Sequence, residues 1–247
     1  MNTPVRLCAL GILLAGSTAG ACDRASFPVA IDPGHTPRQP GAASARGIPE
    51  VRFNDALAAA LVAELARAGF LNVALTREPG ANISLLDRSA AANRRGARLF
   101  VSLHHDSVQP RYLSAWEVDG RRHFFSDEFS GYSLFFSRRN TYPSASLAFA
   151  QLLGTRLRTA GFVPTRHHAQ KIPGENRELV DAWRGIYRFD ALAVLKSARM
   201  PALLVEAGII VNRHDESRLR EPAHQRIFAH TIAQAVADFC EEGMVQP

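Results

Sequence analysis

Apolar and polar positions along this chain follow two periods, and three of the apolar runs end alike. At 26–31 a short apolar run stops at Asp32-Pro33-Gly34 and presents His35. At 99–104 a nearly unbroken apolar run ends at His104, followed by His105 and Asp106. At 202–206 Ala202-Leu203-Leu204-Val205 runs into Glu206, then Ala207-Gly208. Each reads as a buried strand whose carboxyl end delivers a metal-ligand or acid/base side chain to a crevice, as open α/β sheets do; the second is apolar enough to be covered on both faces. Between the first two, Phe53, Leu57, Leu61 and Leu65 recur about once per helical turn, and Gly69 stands where a C-terminal cap belongs. Asn54 and Asp55 supply capping and acidic chemistry at the start of that helix. Glu50 then lies at or just before its N-terminus, facing back towards the first strand.

Segment 73–77 predicts another strand, and Ser84-Leu85-Leu86-Asp87 a capping box that opens a helix running to about Arg95. Strand, helix, strand, helix, strand at this spacing predicts an α/β fold: a single domain with a mixed, twisted β-sheet and helices on both faces. Further on, 131–137 reads as a strand, 146–160 as an amphipathic helix closed by Gly161, 191–198 as a short helix and 223–239 as a final amphipathic helix. The polar stretch 162–183, broken by Pro164, Pro173 and Gly174, reads as an insertion or lid near the site. The aromatic residues of 124–136 read as local core rather than a platform for sugars.

Composition adds three constraints. A chain of 247 residues that is 47% hydrophobic suits one domain with a sizeable core. The net charge of +6 is carried by arginine, with Lys171 and Lys196 the only lysines. These charges are scattered, which suits an acidic cell wall better than nucleic acid, and no nucleic-acid partner is expected. Arg6, the apolar 7–15 and Ala19-Gly20-Ala21 predict a signal peptide over 1–21 and export to the periplasm or cell envelope. Cys22 follows directly, with lipid anchoring at Cys22 and a free mature N-terminus both open. A Cys22–Cys240 disulfide would require the two termini to meet.

Two histidines and one carboxylate make a three-ligand set that leaves a fourth zinc position for water. His35, Glu50 and His104 satisfy that count, each at a strand end or helix start, and Glu206 is the candidate proton carrier. Taken singly each has a plainer reading. His35 could be a turn residue, Glu50 a helix N-terminal acid, and Glu206 the partner of a buried arginine. Arg77 and Arg88 read as residues that hold loops or ion pairs. His105, adjacent to His104 on a strand, must face the other way. The pair His167-His168 raises a second metal site, but its polar setting reads as solvated loop. His123, His214, His224 and His230 read as surface or packing residues.

Ile31-Asp32-Pro33-Gly34-His35, Glu50, Ser102-Leu103-His104 and Leu204-Val205-Glu206-Ala207-Gly208 with Asn212, in this order, resemble the zinc-dependent N-acetylmuramoyl-L-alanine amidases of the Amidase_3 family. Leu75-Thr76-Arg77, Leu86-Asp87-Arg88, Ala92-Asn93 and Val194-Leu195 extend the likeness. It implies a catalytic domain over 26–240, with a loosely matching insertion at about 109–188. It further implies one zinc ion per chain held by His35, Glu50 and His104, with Glu206 as catalytic acid/base. The implied substrate is peptidoglycan, cut by a monomer between N-acetylmuramic acid and L-alanine of the stem peptide. His105 stands where the family usually has alanine, Ile209 replaces a phenylalanine, and the turn after His35 lacks the common Gly-Gly. Hydrolysis of another amide within the stem, and wall binding without catalysis, are the alternatives this reading leaves.

Overall fold

Strand β1 (Val29–Pro33) is buried at every position and leads into the turn that carries His35. The computed structural model describes residues 22–243, so the predicted signal peptide at 1–21 lies outside the described residues. After β1 come α1 (Glu50–Arg67), β2 (Val73–Leu75), α2 (Leu85–Arg94) and β3 (Leu99–Asp106), as the alternating pattern predicts. A hairpin of β4 (Ser114–Val118) and β5 (Arg121–Phe125) follows, then β6 (Ser133–Phe136) and α3 (Pro143–Thr159). The chain continues through β7 (Glu178–Asp181), β8 (Ile186–Arg188), α4 (Ala193–Ser197), β9 (Ala202–Ile209), α5 (Arg213–Leu219) and α6 (Pro222–Glu241).

Seven strands form one sheet in the order β2-β1-β3-β9-β6-β8-β7, while β4 and β5 pair apart from it. The first four run parallel, β6 is antiparallel to β9, and β7 is antiparallel to β8, so the sheet is mixed. Helices cover both faces, which is why β1, β3 and β9 show no polar alternation. Ile31, Val101 and Leu103 pack in one cluster with the α1 stripe Phe53, Leu57, Leu61, Leu65 and with α3 and α6. Ala30, Phe100 and Leu204 pack on the opposite face with Ala92 of α2 and Val194 and Leu195 of α4.

Local chemistry accounts for most element boundaries. Ser84 Oγ accepts the Asp87 N–H at 3.2 Å and caps α2. The Asp87 carboxylate accepts from the Ser84 hydroxyl rather than from its backbone, so only half of a capping box forms. Helix α1 begins a turn earlier than Asn54 and Asp55 suggest. It starts at Glu50 behind Pro49, which supplies no side-chain cap, and frees Asn54 and Asp55 for work at the site. The polar 162–183 stretch is less of a lid than its composition implies, because its end forms β7 and the following residues β8, which extend the sheet. Among the aromatic residues of 124–136, Tyr132, Phe135 and Phe136 are core, whereas Phe124 is 49% exposed.

Cys22 and Cys240 are joined in a disulfide, with Cα atoms 5.6 Å apart. The end of α6 therefore does meet residue 22. The lipid anchor considered for Cys22 is incompatible with this pairing, since both need the same sulfur. A cross-link across a sequence separation of 218 residues constrains the unfolded chain by about 5 kcal/mol in chain-entropy terms. No helix among the described residues is long and apolar enough to cross a membrane.

Candidate metal centre

The turn at the end of β1 is built by buried arginines. His35 takes φ +63°, a left-handed conformation uncommon outside glycine. Arg77 donates to the carbonyls of Pro33 (3.1 Å), Gly34 (3.1 Å) and His35 (2.8 Å) and pairs with Asp55. Arg88 donates to Pro33 O at 2.6 Å, to His35 O, and to Asp32 Oδ1 at 2.8 Å. Asp32 also accepts from the hydroxyls of Thr76 and Ser102. Two guanidinium groups thus grip three successive carbonyls and fix where the His35 ring projects. The predicted loop-holding role of Arg77 and Arg88 matches this arrangement.

Glycine is required where rings and carboxylate close on the backbone. A Cβ on Gly34 would lie 2.4 Å from the His104 ring. A Cβ on Gly41, at φ +78°, would lie 2.4 Å from Glu50 Oε2.

His35, Glu50 and His104 meet. Glu50, the first residue of α1, is 4% exposed. Its Oε2 lies 2.9 Å from His35 Nε2 and its Oε1 3.0 Å from His104 Nδ1. One candidate ligand atom from each residue falls within 4.8 Å of the others. Burial opposes ionisation of Glu50, but hydrogen bonds from His104 and His35 outweigh it and hold the carboxyl well below its ordinary range. The helix N-terminus favours the same charge.

The carboxylate is aimed by a second layer of contacts. Asn54 Nδ2 donates to Glu50 Oε1 at 3.1 Å and to Gly34 O at 3.2 Å. The backbone N–H groups of His105 and Ala42 donate to its two oxygens at 3.2 Å each. His105 faces away from His104, with its ring 5.5 Å from Phe53 and its Nδ1 2.7 Å from Asn54 Oδ1. Burial pushes the His105 imidazole down to about 3, so it stays neutral and steers Asn54. Asn54→Ala is therefore expected to weaken metal affinity at this triad about 10–100-fold with the fold retained, as read by competition with a chromogenic chelator.

Glu206 of β9 sits opposite His104 of β3 in the strand register. Its Oε2 is buried without a hydrogen-bond partner among the described residues. Burial, together with the Asp106 and Glu50 carboxylates, pushes its carboxyl well above the ordinary range. A cleft of about 130 Å³ opens beside His35 and His104, walled by Arg88, Leu85, Leu192 and Leu204. A larger hollow of about 340 Å³ near Gly208 and Arg218 contains none of His35, Glu50, His104 and Glu206.

His167 and His168 are not solvated loop. They are 2% and 9% exposed, and their Nε2 atoms lie 3.2 and 2.7 Å from Asp106 Oδ2. Burial works against charge on His168, but Asp106 and Glu175 outweigh it and raise the imidazole to about 9. The doubled histidine is a sequence signal for this cluster, and its polar neighbours make it resemble solvated loop.

The chain matches the Amidase_3 family model, described as N-acetylmuramoyl-L-alanine amidase, over residues 29–238. It is 28% identical over 234 residues to AmiB of Haemophilus influenzae, named a probable N-acetylmuramoyl-L-alanine amidase. That match takes in 87% of this chain but 52% of the relative, so the chain spans about half of that protein's length. Among solved structures, Ami1 of Mycobacterium smegmatis superposes with a TM-score of 0.70 at 22% identity, over 89% of this chain and 99% of that one, a likeness of fold. The catalytic domain of CwlV from Bacillus (Paenibacillus) polymyxa var. colistinus gives 0.64 at 27% identity, over 85% and 96%.

Proposed function

Because this chain belongs to the N-acetylmuramoyl-L-alanine amidase family, we propose that it hydrolyses the amide joining N-acetylmuramic acid to the first L-alanine of the peptidoglycan stem peptide. The observation that carries this reading is the convergence of His35, Glu50 and His104 from β1, α1 and β3, with Glu206 of β9 beside them. Two imidazole nitrogens and one carboxylate suit zinc and leave a coordination position open. The unpartnered Oε2 of Glu206 supports the fit, since a buried polar oxygen needs a partner that the described residues do not provide. His35, Glu50 and His104 would hold one catalytic zinc ion per chain. Bound there, zinc supplies Lewis acidity towards a carbonyl oxygen and an attacking water.

The remaining steps belong to side chains. Glu206 accepts a proton from water as its oxygen attacks the lactyl carbonyl carbon, and returns a proton to the alanine nitrogen as the C–N bond breaks. Its raised pKa suits a group that must both take and give a proton. Glu50, held ionised, cannot compete for that role. The Arg77 and Arg88 clamp keeps His35 in register with His104 through the cycle. We place the enzyme in the cell envelope, where peptidoglycan lies, working as a monomer. With Cys22 bonded to Cys240, wall attachment by a lipid at Cys22 forms no part of this proposal.

The test is digestion of purified sacculi by zinc-loaded protein, before and after dialysis against a chelator. Expected products are stem peptides with a free N-terminal L-alanine and no attached sugar, lost on chelation and restored by zinc. Peptides cut internally while still attached to muramic acid would assign a different hydrolysis.

A further inference from the structure

We propose that Asp106, His167 and His168 form a second divalent-cation site, of the zinc class, distinct from His35, Glu50 and His104. Their three candidate ligand atoms gather within 4.8 Å of one another. His168 Nε2 lies 2.7 Å and His167 Nε2 3.2 Å from the same oxygen, Asp106 Oδ2. Yet all three atoms are buried without a hydrogen-bond partner among the described residues. These contacts lie within ion-pair distance but are not aligned as linear hydrogen bonds. Three donors gathered around one centre give that arrangement. Buried polar groups left unpaired are destabilising, and one cation would satisfy the three together.

The far sides of both rings are already fixed. His168 Nδ1 is 2.9 Å from Glu175 Oε2, an oxygen that can only accept, so this nitrogen carries the proton. Glu175 is itself held by Gln109 Nε2 at 2.7 Å. His167 Nδ1 is 2.9 Å from Thr165 Oγ1. Imidazoles that ligate metals characteristically donate their other ring N–H to such a partner, leaving Nε2 free to bind. A divalent cation bound between His168 Nε2 and Asp106 Oδ2 would take the place of the proton that the carboxylate otherwise favours on that nitrogen.

Size and surroundings agree with zinc. Tetrahedral bonds of about 2.0 Å set neighbouring donors about 3.3 Å apart. The observed 3.2 Å matches, and the 2.7 Å pair need open by only a fraction of an ångström. Two nitrogens and one oxygen leave a coordination position for water. Phe129 packs on His167 and Phe135 on His168, so both imidazoles sit against apolar rings. Asp106 lies two positions beyond His104 on β3, so an ion here would tie the turn at His167 to the strand that carries the first site.

The experiment counts metal. The purified chain is loaded with zinc, freed of excess, and its zinc content measured by plasma mass spectrometry, with circular dichroism confirming the fold. The proposal expects two zinc ions per chain in the wild type, and one in each of His167→Gln, His168→Gln and Glu50→Gln. Replacing zinc with cobalt(II) gives a second readout, because part of the visible absorption should vanish in His168→Gln and a different part in Glu50→Gln. One ion in the wild type, retained by His168→Gln and lost by Glu50→Gln, would overturn the second site and leave the first standing. One ion retained by Glu50→Gln and lost by His168→Gln would instead remove the first.

Discussion

Glu206→Gln is expected to bind zinc as the wild type does and to lose about two to four orders of magnitude in turnover on peptidoglycan. The substitution keeps the shape of the side chain and its place opposite His104 in the β3–β9 register. It removes the ability to take a proton from water. Metal retention is expected because Glu206 is not among the three residues whose donor atoms converge. An amide is also easier to bury than a carboxylate beside Glu50 and Asp106, the two groups that raise the Glu206 pKa after burial itself. Stability should therefore hold or rise, which separates lost chemistry from lost fold. Muropeptide release at the wild-type rate by this variant would remove Glu206 from the mechanism.

Arg88→Leu is expected to destabilise the protein by about 3–5 kcal/mol, the usual cost of breaking a buried ion pair from one side. Arg88 and Asp32 have side chains only 2% and 1% exposed. Leucine would leave the Asp32 carboxylate with hydroxyls from Thr76 and Ser102 but no counter-charge. It would also strip donors from the carbonyls of Pro33 and His35. The turn would lose half of the clamp that holds His35 at positive φ, so zinc affinity should fall with stability. Urea unfolding measures the first effect and metal competition the second. A variant unfolding within 1 kcal/mol of the wild type, on the scale of ordinary surface changes, would show that Arg77 alone suffices.

The elements legible in the sequence were those whose environment is uniform. β1, β3 and β9 are covered on both faces, so each is an apolar run, and the polar residue ending it stands out because nothing in the core requires it. The opposition of His104 and His105 followed from strand parity alone, and His105 does turn to Phe53 and Asn54. Glu50 was weaker, because a helix N-terminal acid has a sufficient reason to exist in the helix dipole. The two-histidine, one-carboxylate count and the ordered likeness to a family together single it out. What stayed hidden depended on long-range closure. β7 and β8 are too short to show a period. The Cys22–Cys240 bond needs the path of the whole chain. Asp106 meets His167 and His168 only because the polar loop before β7 folds back over β3, and a polar loop looks the same in sequence whether it is solvated or pinned.

Anomalous scattering at the zinc edge from crystals of the zinc-loaded protein locates the ion directly. A peak is expected within bonding distance of His35, Glu50 and His104, with the Glu206 carboxylate beside it. A well-ordered site with no peak there, or with Glu206 turned away from the ion, would contradict that expectation.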